Sequence, residues 1–512
     1  MHDARQRVMG CCARRSGVLL GVLLCGCAVG PNYHTPAIET PQAYQQLPAS
    51  RASAPLSEPV PAQSDLSQWW TQFHDPTLDS LVSRALAANL DLQAAAARLR
   101  QAREQIIIAG ARELPSIDAS GLGARLHAGT NPLESLSGGG AAAGAGAAAS
   151  SAAAGPVSVK LFSLGFDASW ELDIFGGVRR SIEAAHASAQ AAAWQLRDGE
   201  VSLCAEVAND YLTLRAAQAR EAILRSSIEH QQQLLQLAMA RARAGLTTEL
   251  DVNQQRAQLA TDQAQLPDLQ SQALAMAHAL GVLLGEEPEA LTGELATARP
   301  LPVVPPTLPV GLPSQLLRRR PDVREAERQL AAATAQIGVA VAQLYPSFDL
   351  IAGPSLVNNS LSGLLSSRHY GDVEAGLIQW PLFDWGRRRA NVRAQEDQRQ
   401  QAYLAYRRAV LAALQDAEDA LTRYASAQRR LLALEQARSS AQSSLQIAEQ
   451  QYQAGTVDFL NVLTATATLL GIEDQTAQSQ QALTQALVAV YKALGGGWSA
   501  GPGGRSQRAA VP

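Results

Sequence analysis

Charge is scarce in this chain: 17% of its 512 residues are Asp, Glu, Lys or Arg, against about 25% in ordinary soluble domains. The balance is near neutral, −4 at pH 7, so the basic face that nucleic acid requires is lacking. Aromatics stand at 5%, too few for most aromatic-rich ligand pockets. No apolar run reaches the ~20 residues of a membrane-spanning helix, so any crossing of a membrane falls to strands. There are five cysteines. Cys11, Cys12, Cys25 and Cys27 crowd the amino terminus and Cys204 stands alone on a helical pattern. A processed chain therefore has no intramolecular disulfide, and Cys204 reads as a small buried hydrophobe. Apolar residues are not scarce: at 47% they rule out a disordered polymer.

The start of the chain is a leader. Arg5, Arg7, Arg14 and Arg15 precede an apolar stretch from Gly17 to Gly26, the length of a signal-peptide core. It ends in Leu24-Cys25-Gly26-Cys27, which resembles a bacterial lipobox. Cys27 is then the lipidated first residue of the mature chain; Cys25 fits less well, because bulky Leu24 precedes it. An ordinary secretory signal is the alternative. One lipid chain anchors weakly, so a diacylated cysteine with an acylated amine makes physical sense. Ala28 follows where an Asp commonly marks inner-membrane retention, which favours the outer membrane. Loss of the leader leaves the mature chain more acidic.

An internal repeat organises the rest. Gly245 matches Gly455, Leu250 matches Leu460, Val252 matches Val462 and Gly285 matches Gly495, all 210 positions apart. The same offset joins ELDIFG (171–176) to PLFDWG (381–386). Upstream the offset is larger, pairing Asp91 with Asp322 and LPSI (114–117) with YPSF (345–348). The difference falls in the Gly/Ala/Ser tract between His127 and Pro156. A duplicated unit with one loop insertion accounts for this.

Each copy reads helix, strand, strand, long helix, shorter helix. The first helix spans Leu78 to Arg112, before Pro115 turns the chain. In one strand Phe166, Ala168, Trp170 and Leu172 alternate with Gly165, Asp167, Ser169 and Glu171, giving an apolar and a polar face. In copy two Phe348, Leu350 and Ala352 repeat the pattern. A further pass from Val373 to Leu382 is apolar at Val373, Ala375 and Leu377, then slips to Ile378, Trp380 and Leu382. Segments of about ten residues suit transmembrane strands. The long helices are expected over Val178–Ala244 and Arg387–Ala454, each roughly 100 Å at 1.5 Å per residue. Their Ala, Leu, Gln and Arg are strong helix formers, and such lengths belong to coiled coils or elongated bundles. The chain thus divides into a signal peptide (1–26), a lipidated extended arm (27–75), repeat one (76–285), a Pro-rich linker (286–313), repeat two (314–497) and a disordered tail (498–512).

Four candidate membrane strands per chain cannot close a barrel. An open sheet in lipid leaves edge N–H and C=O groups unpaired, and membrane barrels begin at about eight strands. Closure needs further copies: two chains give eight strands, three give twelve.

The motifs CAVGPNY (27–33), WWTQFHDPTLDSLVSRAL (69–86), WELDIFG (170–176), RRPDVREAE (319–327), PLFDWGRRRA (381–390) and YKALGGGW (491–498) resemble those of the TolC-like outer-membrane efflux family. The likeness is to the lipoprotein branch that works with resistance-nodulation-division (RND) pumps. It runs over essentially the whole mature chain, in order. It implies a mainly α fold with a membrane β-barrel portion: a homotrimer whose twelve-stranded β-barrel continues into a twelve-helix periplasmic α-barrel. It also implies a periplasmic adaptor (membrane fusion) protein and an inner-membrane RND pump as partners, with outer-membrane lipid around the barrel. The helix-to-helix turns become adaptor-docking tips: Gly245, Leu246 and Thr247 in copy one, Gly455, Thr456 and Val457 in copy two. A pore gate is implied at Leu250 and Asp251, Leu460 and Asn461, with Tyr452 tying helix pairs shut and Asp251 as its partner. Val457, Thr464 and Ala467 depart from the family pattern, where some relatives carry Arg, Asp and Arg. A leucine ring resists wetting and an acidic ring favours cations.

Arg179-Arg180 and Arg387-Arg388-Arg389 follow the strands, where arginines can pair with lipid phosphates; plain solvated charges are the alternative. Catalysis finds no support. The glycines at 138–140 lack a following Lys-Ser/Thr, and His186, His230 and His278 have no metal-ligand spacing. Glu171 and Asp173 read as lumen or rim residues. No cofactor or metal is expected beyond the lipid on Cys27. The expected function is a passive exit duct for drugs or other toxic small molecules. A type I secretion conduit, a metal-ion efflux conduit and, from a different class, a structural envelope lipoprotein without a pore are the alternatives.

Overall fold

A computed structural model describes residues 28–38, 41, 58–60, 66–128, 157–305, 307–309, 313–364 and 370–499. The leader, Cys27 and the chain beyond Ser499 lie outside them. The chain forms two compact units. One gathers the residues up to His34 with Arg103–Ala187 and Ala331–Gln401; the other gathers Thr35–Ala102, Ser188–Leu330 and Ala402 onward.

The first unit holds one antiparallel sheet. Its strands are β1 (Ser116–Ala128), β2 (Val157–Glu171), β3 (Ser347–Asn358) and β4 (Tyr370–Gln379), in the order β1-β2-β3-β4. Each copy contributes one hairpin, and β2 pairs with β3 to join them, Trp170 opposite Leu350 and Ala168 opposite Ala352. The alternation expected in β2 holds on that shared face. In β4 it does not. The register sets Glu374 opposite Ala352 and Asp372 opposite Pro354. Val373, Ala375 and Leu377 therefore lie on the other face, because the parity of the pleat fixes every side chain once one pair is set. β4 also ends at Gln379, before the expected Leu382; Pro381 has no N–H for a ladder. All ten positions of β4 are exposed, and Ile117 (71%) and Phe166 (59%) are open to the surroundings. β1 and β4 are the two edges.

In the second unit, the single helix expected over Leu78–Arg112 comes as α1 (Pro76–Ala88) and α2 (Leu90–Gly110). Asn89 makes the break: its Oδ1 accepts the Leu92 N–H at 3.0 Å and its Nδ2 donates to the Leu283 carbonyl at 2.9 Å. Such side-chain bonds compete with the helical ladder. Asp75 caps α1 by accepting from the amides of Thr77 and Leu78, with Pro76 in the first helical position. Leu78, Leu81, Val82 and Ala85 form its buried stripe, the spacing of an amphipathic helix. The arm expected to be extended to residue 75 is folded at its end: Trp69, Trp70 and Phe73 are buried, and Trp69 stacks on Tyr491 at 5.1 Å. Trp498, placed in the tail from sequence, packs edge-on against Trp194 at 5.4 Å. The Pro-rich linker is packed in places, with Leu291 and Leu295 buried. Its Thr307–Pro309 pairs in parallel with Glu58–Val60.

The remaining long helices are α3 (Gly177–Arg243), α4 (Glu249–Leu283), α5 (Pro321–Ala342), α6 (Arg387–Gln453) and α7 (Phe459–Ala493). α3 and α6 are 67 residues each, and α4 and α7 are 35 each. Equal lengths at equivalent places express the duplication read from sequence.

Candidate functional site

The turns after α3 and α6 share one construction. Gly245 (φ +74) and Gly455 (φ +75) take the left-handed conformation, which costs a residue with a Cβ about 1 kcal/mol or more. The amides of Gly245 and Leu246 donate to the carbonyls of Ala242 and Arg241; those of Gly455 and Thr456 donate to Tyr452 and Gln451. These paired bonds are Schellman caps, which satisfy the last helical carbonyls and reverse the chain. Gly285 and Gly495 end α4 and α7 in the same way. All four repeat-matched glycines are thus C-terminal caps.

Around the tips, Leu246 (69%), Leu250 (63%) and Leu460 (56%) are the exposed large apolar groups. Thr456 and Asn461 are exposed too. Val457 differs: it is half-buried against a cluster of Leu234, Leu445, Tyr452, Phe459 and Val462. Asp251 accepts a hydrogen bond from the Thr247 hydroxyl, one turn earlier. It makes no hydrogen bond to Tyr452 among the described residues, although its charge, after burial, helps raise the Tyr452 hydroxyl above its ordinary value. Arg241 beside the ring pulls the other way. Thr464 donates to the Leu460 carbonyl, 2.8 Å away. Polar ties between helices exist at places the sequence reading did not single out. Arg220 of α3 pairs with Asp474 of α7 at 2.5 Å, and His230 of α3 meets Glu449 of α6 at 2.7 Å.

The two arginine clusters after the strands are used differently from expectation. Asp173 accepts from the amides of Val178 and Arg179 and pairs with the Arg179 side chain at 3.2 Å. It is the N-terminal cap of α3, where a carboxylate is favoured by the helix dipole. Asp384 does the same for α6 through the Arg388 amide. Arg180 is 5% exposed and turned inward. It donates to the carbonyls of Val29 (3.1 Å) and Gly30 (3.4 Å), to Asn32 Oδ1 (2.7 Å) and to Glu183 (2.7 Å). The anions and acceptors for Arg179, Arg180 and Arg388 are thus supplied by the protein. Arg387 and Arg389 remain exposed. Cys27, the expected lipid site, lies outside the described residues, but the chain just after it is held. The Val29 amide donates to the Phe175 carbonyl at 3.1 Å, and a Cβ on Gly30 would fall 2.5 Å from Gly338 Cα. Sequence reasoning missed this cradle; the glycine pair and the inward arginine are its only local signs.

Cys204 is fully buried, its thiol donating to the Gly497 carbonyl at 3.7 Å. Burial pushes it up to about 12. On α3, burial and then neighbouring Glu206 push Asp210 up to about 6. Among the described residues no three His, Cys, Asp or Glu side chains gather as metal ligands, and no helix is long and apolar enough to cross a membrane.

Comparison with known proteins follows this geometry. A family profile described as "Outer membrane efflux protein" matches residues 81–286 and 312–496. The pyoverdine export outer membrane protein OpmQ of Pseudomonas aeruginosa is 34% identical over 483 residues, 93% of this chain and 95% of its own length. The cation efflux system protein CusC of Escherichia coli is 29% identical over 482 residues, 94% of this chain and 97% of CusC. Among solved structures, the outer-membrane channel OprN superposes with a TM-score of 0.81 at 36% identity, covering 92% of this chain and all of OprN.

Proposed function

Because the chain belongs to the outer membrane efflux protein family, whose members are efflux channels rather than enzymes, we propose that it is the exit duct of a tripartite efflux system, working as a homotrimer. One observation carries the assembly: a four-stranded sheet open at both edges, with Ile117, Phe166 and the whole of β4 exposed. In water such a sheet is an aggregation hazard; in lipid its edges must pair. The four strands alternate in direction. An edge β4 thus meets the β1 of a neighbour antiparallel, as its own hairpins do, and three chains close twelve strands. That number leaves a lumen, whereas eight strands fill with side chains. Four long helices from each chain then supply a twelve-helix barrel through the periplasm.

The tips, with Gly245, Leu246, Gly455 and Thr456 exposed and Thr247 half-buried, are the surface for a periplasmic adaptor, which couples the duct to an RND pump. Val457 supports the tip from within. Leu250, Asp251, Leu460 and Asn461 line the narrowest passage, three copies each. The lipid on Cys27 anchors the amino terminus, and the cradle around Val29 fixes where that anchor leaves the fold. The cargo is small organic molecules, the class to which the pyoverdine of OpmQ belongs.

Purified lipidated protein in planar bilayers tests this. We expect trimers with low, cation-preferring conductance, and Asp251→Ala to raise the current and weaken the preference. A monomeric protein without conductance overturns the duct, and an unchanged Asp251→Ala trace overturns the gate.

A further inference from the structure

We infer that the seam between subunits repeats the β2–β3 pairing made inside the chain, which sets Glu374 of one subunit directly opposite Arg125 of the next. The inference rests on the trimeric duct proposed above; what it adds is the register of the seam and the residues that meet there.

The register follows from the duplication. Ser116 faces Ser169 in the first hairpin, and their repeat counterparts Ser347 and Gln379 face each other in the second. Likewise Ala119 faces Phe166, and their counterparts Leu350 and Gly376 face each other. Both copies thus keep one strand geometry. The pairing that joins them, β2 of copy one on β3 of copy two, has a counterpart that no single chain makes: β4 of copy two on β1 of copy one. These are the two edges of the sheet, so a partner subunit can supply it. Ala168 opposite Ala352 becomes Ile378 opposite the partner subunit's Gly121. Leu164 opposite Leu356 becomes Glu374 opposite the partner subunit's Arg125. The parity of the pleat is kept, so apolar faces stay on one side across the seam.

Charge at the two edges fits this register. Arg125 lies on the face of Ile117 and Phe166, with Lys160 directly across from it in its own chain. Like charges so placed repel. Glu374 lies on that same face, opposite Ala352. Both Arg125 and Glu374 are exposed, and neither has an ionic partner among the described residues. An isolated charge on a lipid-facing strand is destabilising. The seam gives each edge the opposite charge that its own chain withholds.

Shape fits as well. Below the sheet, Gly338 leaves room for Arg180; a Cβ on it would fall 2.7 Å from Arg180 Cγ. The counterparts of this pair are Ile107 and Ala390, with the large and small residues exchanged. Both are exposed. Phe175 stacks on Tyr345 at 4.6 Å, whereas their counterparts Trp385 (90%) and Leu114 (68%) are open. The apolar groups left uncovered are therefore the two halves of an interface that is closed once already inside the chain, and a second copy of the chain covers both.

Cross-linking of the purified protein, with bilayer conductance measured beside it, tests the seam. Ile378→Cys combined with Gly121→Cys is expected to close into a covalent trimer on mild oxidation. Ile378→Cys with Ala119→Cys, or with Gly123→Cys, shifts the pairing by two residues and is expected to stay uncoupled, because diagonal neighbours stand about 7–8 Å apart, beyond a disulfide. A Cβ at Gly121 or Gly123 meets side-chain atoms no nearer than 3.6 Å, so these variants should fold; Cys204 is buried and does not compete. Glu374→Arg and Arg125→Glu are each expected to lower the temperature at which the trimer dissociates, and the double swap to restore it. If the charge variants fail to assemble, the cysteine pairs still decide. Cross-linking through Ala119→Cys or Gly123→Cys in preference to Gly121→Cys overturns the register, and so does a conducting trimer that no pair couples. A double swap no more stable than either single variant overturns the Glu374–Arg125 pair, leaving lipid phosphate as the partner of Arg125. A parent protein that is monomeric and carries no current overturns the duct reading and the seam with it.

Discussion

The cradle around Val29 and Gly30 predicts a measurable consequence of removing Arg180. Three acceptors of the amino-terminal segment face this one side chain: the Val29 carbonyl at 3.1 Å, the Gly30 carbonyl at 3.4 Å and Asn32 Oδ1 at 2.7 Å. Hydrogen bonds from a charged donor contribute about 1.5–3 kcal/mol each. The 3.4 Å contact is long and the freed acceptors regain some water, so the two shorter bonds at the low end give about 3 kcal/mol. At about 1.4 kcal/mol per tenfold, Arg180→Ala shifts docking of the segment by on the order of 100-fold. The Val29 amide, bonded to the Phe175 carbonyl at 3.1 Å, is the reporter. Its hydrogen exchange in the detergent-solubilised protein is expected to accelerate by that factor. Gly338→Ala should act through the same device, because its methyl would lie 2.7 Å from Arg180 Cγ and 2.9 Å from Cδ and would push the guanidinium aside. Exchange at Val29 within about twofold of the parent, in a folded Arg180→Ala protein, refutes the reasoning.

Three further outcomes follow from the same geometry. Gly245→Ala places a Cβ on a residue at φ +74 and should cost about 1–2 kcal/mol. Gly110→Ala, at φ −68 with nothing within 4 Å of the added methyl, should stabilise by about 0.5–1 kcal/mol; urea unfolding compares them, and equal midpoints would contradict the cap. Cys204, buried and pushed up to about 12, should resist maleimide at pH 8 until the protein is denatured, and prompt labelling of the native protein would show the site to be open. Asp210 is held near 6 in the fold, above its ordinary 3.8, so the folded state binds its proton more tightly than the unfolded one. Its contribution to stability is greatest below pH 4 and falls as pH rises through about 6. Asp210→Asn should therefore raise the thermal midpoint at pH 7 and not at pH 4; a gain independent of pH would remove burial of the charge as the cause.

What the sequence made legible was local. Equal helix lengths and their ends followed from glycines in step, because a C-terminal cap needs only its own backbone and the carbonyls of the preceding turn. The β2 alternation was legible for the same reason. The misses are nonlocal. Asn89 breaks a helix by reaching Leu283, nearly two hundred positions on. Which face of the sheet each apolar set of β4 takes is decided by its pairing with β3. Trp498 finds Trp194, and Arg180 finds a segment that precedes it by some 150 residues. An arginine pair after a strand carries no sign, in sequence, that one member is turned inward.

This division between local and distant also explains which features the duplication conserved. Backbone requirements recur: Gly245 and Gly455, Gly285 and Gly495 each meet the same demand in each copy. Local side-chain caps recur as well, Asp173 for α3 and Asp384 for α6, but ties between distant segments do not, because such a tie needs unlike ends. At the 210-residue offset Arg180 becomes Ala390, Arg241 becomes Gln451 and Tyr452 becomes Ala242. Equivalent substitutions should then separate the two kinds. Gly245→Ala and Gly455→Ala should lower the urea midpoint by similar amounts, whereas Arg241→Ala, which removes the bond to the Tyr452 carbonyl at 2.7 Å, should lower it more than Gln451→Ala. Were the arginine- and glutamine-site variants to lower the midpoint alike, the hold between the hairpins would be a property of the shared frame, and the bond from Arg241 to Tyr452 would be incidental to it.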